Sequence, residues 1–306
     1  MKFIESKDNI TGDAVKLAYF DYGTGKPVIL IHGWPLSKEM WEYQVDDLIN
    51  AGLRVIAYDR RGFGMSDRPW FGYDYDTLTD DLRAVIEQLD LHDVTLVGFS
   101  MGGGEVARYF TRYGGERVSQ AVLVSSVVPY MLKTDDNPDG VDTDVLDGMM
   151  AGVKDDRAGF LDNFGKEFFG VNFLKHPVSN ASLDYYRTVA SMASPRATLE
   201  CIKSFGYTDF RKDALAINVP TLIIHGDADK IVPTATSSEQ STKLISNNQY
   251  IVYEGAPHGL FFTDKTRLSH HLVSFITTGT PAVFEPAYTN DAIILPSNDE
   301  GLVTRS

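Results

Sequence analysis

The sequence predicts an α/β fold: a mostly parallel sheet flanked by helices on both faces, with a helical insertion. Three observations predict it. Short β-branched apolar runs alternate with amphipathic stretches along most of the chain. The alternation stops between about residues 126 and 217, where no strand-like run occurs and aromatic residues are frequent. It resumes at Val219. Strand–helix–strand repetition implies right-handed crossovers, and hence parallel strands covered on both faces.

In chain order, residues 15–22 alternate like a half-exposed strand. Residues 27–31 (PVILI), 55–58, 94–97 (VTLV), 121–124 (AVLV), 220–224 (PTLII) and 250–253 read as fully buried strands. Helices are expected at about 38–50, 78–89, 103–113, 234–245 and 265–275. Segments 1–126 and 211–278 then form the core. Segment 127–210, with Phe160, Phe164, Phe168, Phe169, Tyr185 and Tyr186, is expected as a helical cap over the C-terminal edge of the sheet. Open α/β sheets place their ligands at that edge. Residues 279–306 form an extension outside the pattern. It is broken by prolines but holds an apolar stretch at 292–295. It is expected to dock on its own domain or on a neighbouring subunit of a homo-oligomer.

Composition narrows the function classes. The 306 residues are 43% hydrophobic, enough for a sizeable core. A net charge of −14 offers no basic stripe, which argues against nucleic acid and anionic membrane as partners. No apolar run approaches the ~20 residues of a membrane span, and residues 1–10 show no apolar signal region. Cys201 is the single cysteine, so neither an intrachain disulfide nor a cysteine metal cluster is expected. A reducing, cytoplasmic location is the default.

The strongest motif follows the strand at 94–97: Gly98-Phe99-Ser100-Met101-Gly102, then a helix. This is G-x-S-x-G in a strand–turn–helix setting, which presents a serine on a sharp turn as a nucleophile. Glycines two residues to either side keep the strand end and helix start from colliding. A serine hydroxyl needs a positioned base. His258, in the loop after the strand at 250–253, is the histidine best placed beyond a strand's C-terminal end. The acid that orients the imidazole falls in His225-Gly-Asp227-Ala-Asp229, after the strand at 220–224, and both aspartates are candidates. The order Ser…Asp…His suits this fold. The oxyanion donors are expected to be the backbone N–H groups of Met101, next to the nucleophile, and Trp34, in His32-Gly-Trp-Pro35 after the strand at 27–31. Pro35 limits the backbone of Trp34. Trp34, Met101 and Ile231 are expected to line a small acyl pocket.

Five separated motifs agree in order and spacing: His32-Gly-Trp-Pro, Tyr58-Asp-Arg-Arg-Gly-Phe-Gly-Met-Ser66, Gly98-Phe-Ser-Met-Gly102 with Glu105-Val-Ala-Arg-Tyr109, His225-Gly-x-x-Asp229, and Gly255-Ala-Pro-His-Gly259. Over about residues 10–277 the chain resembles the cofactor-free haloperoxidase, perhydrolase and arylesterase group of α/β hydrolases. The resemblance implies the α/β-hydrolase fold with a mostly parallel, eight-stranded sheet. It also implies Asp229 as the triad acid, no cofactor, and hydrolysis of small carboxylic esters through an acyl-serine. With hydrogen peroxide in place of water the same acyl-serine gives peracids. In that group a proline after the oxyanion-loop aromatic is associated with stronger perhydrolysis, and Pro35 stands there. Chains of the group usually stop near Thr277, so the extension departs from the pattern.

Two further features read as structure. Asp135-x-Asn137-x-Asp139-Gly140 mimics half a calcium loop, but Leu146 occupies the position of the bidentate glutamate and Pro138 interrupts the loop, so turns and no metal are expected. Arg60 and Arg61 are expected in a salt bridge near Asp59. Rival hydrolases of this fold with an aspartate nucleophile do not fit Ser100. A lactonase, a carbon–carbon hydrolase and a slow-turnover ligand receptor can share the same triad.

Overall fold

The computed structural model describes residues 1–285. Its strands are β1 (Lys2–Lys7), β2 (Ala14–Tyr22), β3 (Pro27–Ile31), β4 (Arg54–Tyr58), β5 (Val94–Phe99), β6 (Val118–Val124), β7 (Thr221–Gly226) and β8 (Asn248–Tyr253). They form one eight-stranded sheet in the order β1-β2-β4-β3-β5-β6-β7-β8. The β1/β2 and β2/β4 pairings are antiparallel. Every pairing from β4 to β8 is parallel.

The side-chain alternation of the central strands divides the core in two. Along β3, Val28 and Leu30 face one side, where α1 (Glu42–Asn50) and α10 (Lys265–Thr278) contribute Leu48, Leu268, Leu272 and Phe275. Ile29 and Ile31 face the other, against Leu78, Leu82 and Val85 of α2 (Tyr75–Gln88) and Val106 and Phe110 of α3 (Met101–Tyr113). Each such aliphatic side chain contributes roughly 1.5–3 kcal/mol on burial. That packing anchors β3, β5, β6 and β7, whose C-terminal ends carry the site.

Between β6 and β7 lie α4 (Thr143–Phe168), α5 (Asn180–Ser191), α6 (Pro195–Tyr207) and α7 (Arg211–Ala216). Helix α4 kinks at Asp156 (φ −140°, ψ 87°). There the Asp156 carboxylate accepts the Gly159 N–H at 3.0 Å, an N-cap that restarts the helix. The mock calcium loop is a set of turns. The buried Asn137 side-chain amide donates to the carbonyls of Tyr130 (3.0 Å) and Leu132 (2.8 Å).

Several elements differ from the sequence reading. β1 was not expected. It is an edge strand that turns only Ile4 and Ser6 inward, too weak an alternation to read. β8 is the opposite edge, with Val252 42% exposed, rather than a fully buried strand. The expected helix at 38–50 is a 3-10 turn, Lys38–Trp41, followed by α1. The one at 234–245 is a turn, Thr234–Thr236, followed by α8 (Ser238–Leu244). α10 ends at Gly279, in the left-handed region that favours glycine. The chain then folds back on its own helix: the Ala282 N–H donates to Ser274 Oγ at 2.9 Å, and Phe284 packs on His270 and His271. The apolar stretch at 292–295 lies outside the described residues. No helix among the described residues is long and apolar enough to cross a membrane.

Candidate active site

Ser100 sits between β5 and α3 at φ 52°, ψ −118°. A non-glycine residue at positive φ costs about 1–3 kcal/mol and persists only where its surroundings enforce it. Here the Ser100 N–H donates to the Val124 carbonyl (2.8 Å), and the Ser100 carbonyl accepts from Gly103 (3.0 Å) and Val127 (3.3 Å). The flanking glycines are sterically required. A Cβ on Gly98 would stand 2.5 Å from the Gly102 carbonyl oxygen, and one on Gly102 would stand 2.6 Å from that of Ile31. Gly104 admits the rings of Tyr75 and Phe210, which a Cβ there would strike.

The structure brings Ser100, His258 and Asp229 together. His258 Nε2 lies 2.9 Å from Ser100 Oγ, and its Nδ1 lies 2.6 Å from Asp229 Oδ2. A carboxylate only accepts, so Nδ1 carries the proton and Nε2 offers its lone pair to the hydroxyl. The imidazole is held between the rings of Phe99 and Phe168, at 5.0 and 4.9 Å between centroids. Its loop is tied to the end of α4 by the Gly259 N–H, which donates to the Phe168 carbonyl at 2.8 Å.

Asp229 is buried and fully engaged. Its Oδ1 accepts the N–H groups of Ile231 (2.9 Å) and Val232 (2.8 Å), and its Oδ2 also lies 3.1 Å from His225 Nε2. Burial alone would raise this carboxyl. The imidazoles of His258 and His225 outweigh it and hold the group well below the usual carboxylate range. Asp227 plays a different part: its Oδ1 accepts the Gly255 N–H at 2.6 Å, latching the loop after β7 to the loop after β8. His225 had a place in a motif but no role read from sequence. Its four-residue spacing from Asp229 was the available signal.

The loop after β3 is fixed from below. Arg60 N–H donates to His32 Nε2 at 2.9 Å, which leaves the His32 proton on Nδ1, 2.9 Å from the Gly33 carbonyl. Burial and the Arg60 charge keep this imidazole neutral, well below its ordinary pKa. The Gly33 carbonyl shares a peptide plane with the Trp34 N–H, so holding one aims the other. Leu36 N–H also donates to that carbonyl at 3.0 Å. Arg60 does not pair near Asp59 as expected. Its Nε donates to Glu105 Oε1 (2.6 Å), Glu105 Oε2 accepts from Tyr58 (2.7 Å), and Arg61 pairs with Asp81. Asp59 pairs with Lys38 at 2.9 Å. Among the described residues, neither the Trp34 nor the Met101 N–H donates to a protein acceptor. The Trp34 indole reaches across instead: its Nε1 donates to the Thr198 carbonyl of α6 at 3.0 Å, and its ring packs on Phe160, Phe164 and Phe205.

A cavity of about 30 Å³ opens on Ser100 and His258, walled by Trp34, Ile231, Val127, Met131, Met149 and Phe164 among others. One water needs roughly 10–15 Å³ on this scale, so the space is small. Among the described residues, its lining carries no charged side chain besides the site itself. Trp34 and Ile231 line it. The Met101 side chain does not, being wholly buried in the core. A larger cleft of about 650 Å³ lies between the end of α4 and the loops after β7 and β8, but Ser100, Asp229 and His258 are not on its walls.

A hydroxyl, an imidazole and a carboxylate in line at the C-terminal edge of this sheet are the arrangement of a serine hydrolase. The chain belongs to the alpha/beta hydrolase fold family, whose model matches residues 26–265. It is 42% identical to the non-heme chloroperoxidase CPO-A1 of Kitasatospora aureofaciens, over 87% of this chain and 98% of that one. It is 38% identical to the bifunctional esterase/perhydrolase DCH of Acinetobacter calcoaceticus, over 87% and 98%. The crystal structure of a bromoperoxidase from Bacillus anthracis superposes with a TM-score of 0.86 at 47% identity, covering 90% of this chain and all of that one. Within the family the chain falls in the non-heme haloperoxidase group that its motifs resemble.

Proposed function

We propose that the protein hydrolyses small carboxylic esters through an acyl-Ser100 intermediate, with perhydrolysis as a side activity. The observation that carries this reading is the Ser100–His258–Asp229 alignment at the floor of a small apolar cavity. His258 takes the Ser100 proton as Oγ attacks the ester carbonyl. The Trp34 and Met101 N–H groups hold the oxyanion, each worth roughly 3 kcal/mol in the transition state. Protonated His258 then hands its proton to the departing alcohol. Water, activated by the same imidazole, releases the acid. Hydrogen peroxide attacking instead releases a peracid. Asp229 pays for the imidazolium charge, and residues 127–210 act as a cap that limits the acyl group's length over a core of 1–126 and 211–278. The perhydrolase half of the reading draws on the relatives named esterase/perhydrolase and haloperoxidase, and on Pro35.

A panel of p-nitrophenyl esters from acetate to octanoate, run with and without hydrogen peroxide, tests it. Acetate and propionate are expected to give the highest kcat/KM, with a steep fall as the acyl chain outgrows the cavity, and peracid is expected only when peroxide is present. At most a few slow turnovers on acetate would instead identify a ligand receptor, and a preference for octanoate would contradict the small acyl pocket.

A further inference from the structure

We propose that Met131 and Met149 are oxidation sites supplied by the enzyme's own product, so that perhydrolysis progressively rebuilds the acyl pocket. This rests on the perhydrolase reading above. Both side chains wall the cavity that opens on Ser100, and they are the only thioethers among its lining residues. Met131 is 3% exposed, and Met149 is half-buried. Of the other described methionines, Met40 and Met101 are buried off the cavity, Met150 is half-buried and not on its walls, and Met65 (49% exposed) and Met192 (40% exposed) lie at the surface.

A peracid formed on acyl-Ser100 is released into this small space beside two electron-rich sulfurs. A sulfur lone pair attacks the terminal peroxy oxygen, the O–O bond breaks and an S–O bond forms. The peroxy proton passes to the departing carboxylate, which leaves as the carboxylic acid. The thioether is oxidised by two electrons and the peracid reduced by two. The product, methionine sulfoxide, is polar and chiral where the side chain had been apolar. In this cavity it has few donors to satisfy it: the Trp34 indole N–H is already committed to the Thr198 carbonyl. Oxidation should therefore narrow the pocket and raise its polarity, lowering activity with each round of peracid formed.

The test incubates the wild-type enzyme with an acetate ester and hydrogen peroxide. Peracid is assayed in the same tube, and sulfoxides are mapped by peptide mass spectrometry over time. Met131 and Met149 are expected to oxidise in proportion to peracid formed, several-fold ahead of Met65 and Met192. Peroxide without ester should reverse that order, and Ser100→Ala given both reagents should behave like peroxide alone. The paired variant Met131→Leu/Met149→Leu, which keeps apolar volume, should hold its own initial rate through several-fold more turnovers than wild type holds its own. Peracid production with Met65 and Met192 oxidised first, or with Met131 and Met149 unmodified, would overturn the proposal alone. Absence of peracid would overturn it together with the perhydrolase reading.

Discussion

Ser100→Ala is expected to lower kcat on p-nitrophenyl acetate by roughly 10⁵- to 10⁶-fold, the scale of losing a triad nucleophile. The fold should survive. The backbone at Ser100 is held by hydrogen bonds from its own N–H and to its own carbonyl, not by its hydroxyl. Among the described residues, the only side-chain bond lost is the one to His258. The thermal midpoint should therefore move little, and circular dichroism alongside kinetics separates a dead site from an unfolded chain. A variant that turns over within about tenfold of wild type would remove Ser100 from the reaction.

Asp229→Asn should cost roughly 10⁴-fold in kcat, for a reason specific to this loop. Oδ1 is fixed by the N–H groups of Ile231 and Val232, so the asparagine oxygen must take that place. Its NH₂ then occupies the Oδ2 position, facing His258 Nδ1 and His225 Nε2. Donating to His258 Nδ1, it forces the imidazole proton onto Nε2, which can no longer accept from Ser100. Asp227→Asn makes the contrast: asparagine can still accept the Gly255 N–H, so kcat should change only a few-fold. Comparable losses in the two variants would show that the loops after β7 and β8 matter as a latch rather than through one carboxylate.

The parts of the site legible in sequence were those forced by local sterics or by chain order. Gly98 and Gly102 announce the turn because no Cβ fits there, and His258 was singled out by following a strand. The choice between Asp227 and Asp229 was not local. It depends on how far the loop after β7 must travel to reach Nδ1, and Asp229 is favoured partly by the resemblance and partly because Asp227, directly after Gly226, stands where an aspartate commonly serves a turn. Long-range partners were equally hidden. Nothing in the spacing of Arg60 and Glu105 says that they meet in the core, or that Asp59 takes Lys38 instead. Phe168 and Phe169 were seen as insertion aromatics, but their packing near His258 depends on the kink at Asp156 that redirects α4. The edge strands are legible only in part. With one flank unpaired, β1 and β8 mix exposed and buried positions, so β1 escapes the alternation and β8 is found as a strand but not as an edge.

Covalent labelling tests the nucleophile most directly. A short alkyl fluorophosphonate should form a bond between phosphorus and Ser100 Oγ as fluoride leaves. Peptide mapping should find the label on Ser100 alone, with residual esterase activity falling in proportion to occupancy. Full activity in a protein labelled at Ser100, or inactivation with the label on another residue, would contradict the acyl-serine account.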